Sequence, residues 1–168
     1  MRADELTAAA PLRRAATPAD MDEARALFRE YADWLAVDLC FQGFAEELAT
    51  LPGAYAPPRG CLLLAGPPGA AVACIALRPI GVAGAPDGTV GEVKRLYVKP
   101  SARGRGLGAR MVEALLAAAR AAGYRELKLD TLAHMTDARR LYERLGFVAC
   151  SPYYHNPLPG AVYLSRTL

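Results

Sequence analysis

Apolar and polar positions along this chain alternate between two rhythms. From Thr89 to Val98, β-branched and aromatic residues stand at strand density. From Leu107 onward, Leu107, Met111, Leu115 and Ala119 recur at helical spacing. That predicts a helix from about Arg105 to Ala122, ended by Gly123. Leu127, Leu129 and Thr131 then alternate with polar neighbours as a strand does. Upstream, Leu12 to Ala16 reads as a short first strand. Thr17 is placed to cap a helix with Pro18 at its first position and acids in its first turn. Leu27, Tyr31, Trp34 and Leu35 give that helix an apolar stripe. A short helix is predicted over Phe44 to Thr50 and a loop from Leu51 to Gly60. A hairpin follows from Cys61 to Leu77, turning at Gly66-Pro67-Pro68-Gly69. Arg78 to Gly88 reads as a loop rich in glycine and proline. Downstream, Thr136 or Asp137 caps a helix through about Leu145, closed by Gly146. Phe147 to Cys150 is a strand, Ser151 to Gly160 a loop, and Ala161 to Leu168 the last strand. Met1 to Ala10 has no clear period and reads as a flexible tail, which leaves 11–168 as a single domain. The order β-α-α-β-β-β-α-β-α-β-β is mixed, so the class is α+β with a largely antiparallel sheet.

Composition narrows this picture only slightly. A chain of 168 residues buries roughly 70% of its unfolded surface, enough for one core. The 53% hydrophobic content with 22% charge is that of a globular protein. Apolar runs such as Cys61 to Ala65 fall far short of the roughly 18 residues that a spanning helix needs, so no membrane partner is expected. No charged and apolar leader opens the chain, and a cytoplasmic protein is expected. Cys40, Cys61, Cys74 and Cys150 are scattered and read as reduced thiols; no metal site is expected. A net charge of +3 suits an anionic ligand. It does not argue for nucleic acid: Arg103, Arg105, Arg110 and Arg120 are not interleaved with aromatics, and Glu113 interrupts them.

The stretch from Leu96 to Gly108 carries the chemistry. A strand breaks at Pro100, and a glycine-rich loop then opens the main helix. A first helical turn leaves N–H groups unpaired and adds partial positive charge, while glycines let a phosphate approach the backbone. Arg103 and Arg105 add forked donors suited to phosphate oxygens. Gly104, Gly106 and Gly108 alternate, so the dinucleotide fingerprint G-x-G-x-x-G fails. No Gly-Lys-Ser or Gly-Lys-Thr occurs, so a P-loop fails too.

What remains, Arg103-x-x-Gly106-x-Gly108, resembles the pyrophosphate motif of the GNAT acyltransferases. A second motif lies one helix and one strand downstream. Ala138-Arg139-Arg140-Leu141-Tyr142-Glu143-Arg144-Leu145-Gly146-Phe147 is similar to that family's A-x-x-L-Y-x-x-x-G-F signature. The resemblance runs from about Leu12 to Leu168 and is strongest from Glu92 to Phe147. It implies a GNAT-type acyl-CoA N-acyltransferase fold, with a mixed, mostly antiparallel sheet of about six or seven strands flanked by about four helices. It also implies transfer of an acetyl group from acetyl-CoA to a primary amine of a small-molecule or amino-acid-like acceptor, by direct attack in a ternary complex. A homodimer is among the assemblies the family adopts. A protein lysine or N-terminal acetyltransferase, and a silent CoA-binding module, are the alternatives.

Carried over residue by residue, the resemblance gives the pantetheine arm to the backbone of Leu96, Tyr97 and Val98. The pyrophosphate falls to the amides of Arg103, Gly104, Arg105, Gly106, Leu107, Gly108 and Ala109, and Thr131 stands at the ligand from the facing strand. Tyr142 matches the tyrosine aimed at the CoA sulfur. As a neutral phenol it suits an acid for the leaving thiolate, although an aromatic there also fills core space. Glu92 matches a catalytic glutamate and suits a general base, or else is a strand acid paired with Lys94 or Arg95. Lys94 and Arg95 are candidates for a substrate carboxylate, and Tyr153 for the rim of the acceptor pocket, with Tyr154 and Asn156 on the same loop. His134 and His155 are weaker candidates. Asp137 stands where the family often has asparagine and reads as a helix cap. Period-two alternation sets Glu92, Lys94, Leu96 and Val98 on one face, and Val93, Arg95 and Tyr97 on the other.

Overall fold

The computed structural model describes residues 10–168. Seven strands form one sheet: β1 (Leu12–Arg14), β2 (Cys61–Ala65), β3 (Ala73–Ile80), β4 (Val90–Val98), β5 (Glu126–Leu132), β6 (Val148–Ala149) and β7 (Ala161–Thr167). Their spatial order is β1-β2-β3-β4-β5-β7-β6. Every pairing is antiparallel except β4 with β5. Among the described residues four α-helices join them: α1 (Pro18–Leu35), α2 (Phe44–Thr50), α3 (Leu107–Ala121) and α4 (Thr136–Arg144). The expected order of elements holds throughout. Of the tail expected over Met1 to Ala10, residues 1–9 lie outside the described residues. Ala10 itself is buried, and its carbonyl accepts from Arg110 Nη2 at 3.0 Å.

The sheet has a core on each face. On one side α3 buries Leu107, Met111, Val112, Leu115, Leu116 and Ala119 against Leu63, Ile75, Leu77, Leu127 and Leu129. Full burial of each Leu, Ile, Val or Met side chain here stabilises by about 1.5–3 kcal/mol. On the other side α1 packs Met21, Ala24, Leu27 and Phe28 against Leu62, Leu64, Cys74 and Ala76. The α1 start is a capping box. The Thr17 hydroxyl accepts from the Asp20 N–H, and the Asp20 carboxylate accepts from the Thr17 and Ala16 N–H groups. Those amide donors hold the Asp20 carboxyl far below the usual carboxylate range.

Three differences from the sequence pattern bear on the site. First, β3 runs past Leu77 to Ile80, and this brings Arg78 into register with Glu92. Second, α4 is preceded by Met135 in the cap position with no side-chain cap; Asp137 is exposed in its first turn. Third, β4 carries a bulge. Its register with β3 slips between Cys74 and Ala76, so Arg95 and Leu96 together stand against Ile75. Arg95 takes a left-handed φ of 57° there. Strict alternation therefore ends at Lys94. Tyr97 packs into the α1 core, and Leu96 and Val98 join Val93 on the α3 side. Lys94 and Arg95, expected on opposite faces, both reach Gln42 on the α1 side.

Candidate active site

The bulge coincides with a split in the sheet. β4 and β5 pair only from Val90 to Glu92 against Glu126 to Lys128. Beyond that, β5 continues with β7 up to Leu132, and β4 continues with β3 up to Val98. The two central strands part, leaving facing backbone edges without a ladder. A cavity fills the wedge, walled by Val93, Lys94, Arg95 and Leu96 from β4 and by Asp130, Thr131 and Leu132 from β5. Tyr142 of α4 closes one side of it, and Tyr31 and Leu35 of α1 the other. A second cavity of about 200 Å³ adjoins at Gln42 and is lined by Glu46, Glu47, Thr50, Tyr55 and Arg78.

At the far end of β4 the loop into α3 is shaped as a cradle. Gly104 and Gly106 have φ of 76° and 74°, and a Cβ on either would meet nothing within 4 Å. Glycine is required there by backbone conformation, and the space above it is open. Gly106 occupies the cap position of α3, and among the described residues no side chain caps the helix. Its first-turn N–H groups are suited to an external acceptor. Arg103 does not reach over this loop. Its Nε donates to the Val98 carbonyl at 2.8 Å, and its guanidinium stacks on Trp34, 4.6 Å from the ring centre. Tyr97 lies under the same stack, against Tyr31 and Trp34.

Tyr142 is buried and packs edge-on against Phe147, ring centres 5.4 Å apart. Burial pushes its phenol well above the ordinary value, so it stays a neutral donor. Among the described residues its hydroxyl has no hydrogen-bond partner, although it borders the cavity. Thr131 is buried on the β5 wall, its hydroxyl 3.6 Å from Met135 Sδ.

On the α1 side of the wedge lies a buried polar network. Glu92 is 1% exposed. Its Oε2 accepts from Arg78 Nε at 2.7 Å, and its Oε1 accepts from the Tyr153 hydroxyl at 2.8 Å. Lys94 Nζ sits 3.7 Å from Glu92 and 3.8 Å from Asp130, and donates to Gln42 Oε1 at 3.2 Å. Burial pulls the Lys94 ammonium below its ordinary value, and the two acids only partly offset this. Arg95 donates from Nε to Glu47 and from Nη1 to Gln42, each at 2.9 Å. Asp130 Oδ2 accepts from the Tyr154 hydroxyl and from Asn156 Nδ2.

The structure thus brings Lys94, Arg95, Leu96, Thr131 and Tyr142 around one wedge; Glu92 and Tyr153 join it through the polar network, and residues 103–109 follow the far end of β4 without lining the cavity. His134 and His155 are exposed. Sequence reasoning missed Asp130, Gln42, Glu47 and Arg78. Asp130 had a signal: it follows Glu126 and Lys128 on the polar phase of a strand whose other phase is buried. Gln42 and Glu47 had none, since only the chain's path over the bulge brings them there. Among the described residues no group of three or more His, Cys, Asp or Glu is placed to hold a metal ion, and no helix is long and apolar enough to cross a membrane.

A split mixed sheet with a glycine cradle at the mouth of the split defines the class as an acyl-CoA N-acyltransferase fold. The chain belongs to the acetyltransferase (GNAT) family, whose model matches residues 18–147. It is 40% identical over 148 residues to an uncharacterized N-acetyltransferase of Schizosaccharomyces pombe, covering 88% of each chain. Its fold is similar to that of an acetyltransferase from Streptococcus agalactiae, at a TM-score of 0.75 and 20% identity over 94% of this chain and 98% of that one. It is also similar to a GNAT family acetyltransferase from Elizabethkingia anophelis with acetyl-CoA bound. There the TM-score is 0.53 and the identity 20%, over 66% of this chain and 77% of that one.

Proposed function

We propose that the protein transfers an acetyl group from acetyl-CoA to the primary amine of a small molecule, both substrates being bound at once. The observation that carries this is the wedge between β4 and β5, with an uncapped helix at its mouth and a free phenol at its wall. The fit to acetyl-CoA rests on chemistry present in the chain. The open Gly104 and Gly106 backbone and the first turn of α3 suit a pyrophosphate. The unpaired edge of β4 at Leu96, Tyr97 and Val98 suits the amides of a pantetheine arm, although the Val98 carbonyl is engaged by Arg103.

Acetyl-CoA supplies the activated acyl group. The chain's own groups do the rest. N–H donors along the parted β4 edge polarise the thioester carbonyl as charge builds on its oxygen. Tyr142 donates its proton to the departing sulfur; its raised pKa keeps that proton available across the neutral range. The acceptor enters from the α1 side, past Lys94, Arg95 and Tyr153. Glu92, with both oxygens engaged, holds Arg78, Lys94 and Tyr153 in place. The burial of this network favours a small acceptor over a protein surface. The test is thiol release from acetyl-CoA with a panel of small amines, compared with lysine-bearing peptides. Turnover with small amines is expected; turnover only with peptides, or none with either, overturns the reading.

A further inference from the structure

The polar network beside the wedge is balanced in charge: Arg78, Lys94 and Arg95 face Glu47, Glu92 and Asp130. Two of its atoms are left over. Arg95 uses Nε on Glu47 and Nη1 on Gln42, but its Nη2 is buried with no hydrogen-bond partner. Buried guanidinium donors are rarely left so, because the desolvation is uncompensated. Asp130 uses Oδ2 on Tyr154 and Asn156; among the described residues its Oδ1 has no hydrogen bond, with Lys94 Nζ at 3.8 Å, beyond hydrogen-bond reach. Lys94 gives one of its three N–H donors to Gln42, and each Glu92 oxygen accepts one bond, from Arg78 or Tyr153. Among the described residues Arg95 Nη2 and Asp130 Oδ1 thus stand without a hydrogen bond, and both residues line the cavity that Tyr142 borders.

We propose that the acceptor is a small zwitterion, an amine and a carboxylate in one molecule, with its carboxylate on Arg95 Nη2 and its ammonium on Asp130 Oδ1. This deepens the acetyltransferase reading and rests on it. A simple amine would satisfy Asp130 and leave Arg95 orphaned; a simple acid would do the reverse. A guest of zero net charge pairs both and keeps the network neutral. A lysine side chain or a protein N-terminus carries no neighbouring carboxylate for Arg95.

The placement also names a proton acceptor on the cavity wall itself, Asp130 Oδ1, alongside Glu92, whose two oxygens each already accept one bond. The ammonium gives one proton to Asp130 Oδ1, and its freed lone pair forms the C–N bond to the acyl carbon. The C–S bond breaks with its electron pair on sulfur, which takes the Tyr142 proton. The nitrogen loses its second proton as the amide forms, and that proton restores the phenol. The proton on Asp130 leaves to solvent, so the sum is one amide, one thiol and one released proton.

The test uses the whole protein with acetyl-CoA and matched pairs: α-, β- and γ-amino acids, each beside its own amide. The amide keeps the amine and loses the carboxylate. It also lowers the amine's basicity, which by itself would favour the amide at neutral pH. For the best pair the acid is expected to exceed its amide in kcat/KM by about 100-fold, as a site built around a polar partner discriminates. Arg95→Lys is expected to shrink that ratio below about tenfold, chiefly through KM for the acid. Asp130→Asn is expected to lower kcat for acid and amide alike by about 100-fold. Unchanged acetyl-CoA binding by each variant reports an intact fold. An amide as good as its acid overturns the inference with no variant needed, and so does a ratio that survives Arg95→Lys. Thiol release with peptides or polyamines alone overturns the zwitterion while leaving acetyl transfer standing. No release with any amine, despite acetyl-CoA binding, brings down the acetyltransferase reading itself.

Discussion

At single residues the proposed chemistry and a share of the pH response can each be measured. Tyr142→Phe keeps the ring against Phe147 and deletes only an unpartnered hydroxyl, so the fold should tolerate it. If that hydroxyl protonates the leaving sulfur, kcat falls by about 100-fold or more while KM for acetyl-CoA stays within about threefold. Steady-state thiol release measures both, and an unchanged kcat would make Tyr142 a packing residue. Asp20 governs stability toward acid. Amide donors from Ala16 and Thr17 set its folded pKa below the unfolded value of about 3.8. A carboxyl with a lowered folded pKa binds fewer protons folded than unfolded. Its contribution is therefore complete above the unfolded pKa and drains away as pH falls below it toward the folded value. Thermal melts from pH 7 down to pH 3 should show wild type losing stability more steeply than Asp20→Asn below about pH 4.5. Parallel curves would assign acid sensitivity to other groups.

At the scale of elements, the chain writes some features plainly and conceals others. The capping box at Thr17, the amphipathic α3 and the stop at Gly123 are local in origin, and pattern alone places them. The cradle is equally legible because φ near 75° demands glycine at Gly104 and Gly106. The β4 bulge is not legible. Nothing in Lys94-Arg95-Leu96 announces it; it arises where β4 must leave β5 yet stay paired with β3, and it turns Arg95 to the side of Lys94. Period-two logic is right up to Lys94 and wrong after it. The partners of the site, Gln42 and Glu47, come from 48 to 53 residues away in sequence and leave no local mark. Arg103 shows the same limit: its motif position suggests a phosphate ligand, and its surroundings make it a clamp between Val98 and Trp34. The cradle itself gives a sharp expectation. In Gly106→Asp the new carboxylate lies beside the free first-turn amides and competes for them, so KM for acetyl-CoA should rise more than about tenfold. The left-handed conformation there adds about 1 kcal/mol of strain. Binding by calorimetry, set beside the melting temperature of the variant, separates lost affinity from lost fold; intact affinity would remove the cradle from the binding site.

Across the whole molecule the parted sheet makes two halves with little backbone between them. β1 to β4 stand on one side and β5 to β7 on the other, joined at the centre by the short parallel ladder from Val90 to Glu92. Beneath them α3 packs chiefly on the first half, at Ile75 and Leu77, and shares its apolar core with Leu127 and Leu129 of the second. A ligand that lies in the wedge touches α3 at its mouth and the inner edges of β4 and β5 together. It therefore adds ties where the sheet has none. Mass action fixes the size of the effect: acetyl-CoA at 100 times its dissociation constant stabilises by about 2.7 kcal/mol if it binds only the folded chain. For a chain of this length that corresponds to a rise in melting temperature of about 5–11 °C. The distribution of the effect is the stronger test. Amide hydrogen exchange should slow at Leu96 to Val98 and at Leu129 to Leu132, the edges that face each other across the wedge, and at the first turn of α3. The β2–β3 hairpin is already paired along its length and should change little. A thermal shift accompanied by protection at α1 and α2, with both wedge edges unaltered, would put the cofactor elsewhere and detach the cradle from the split.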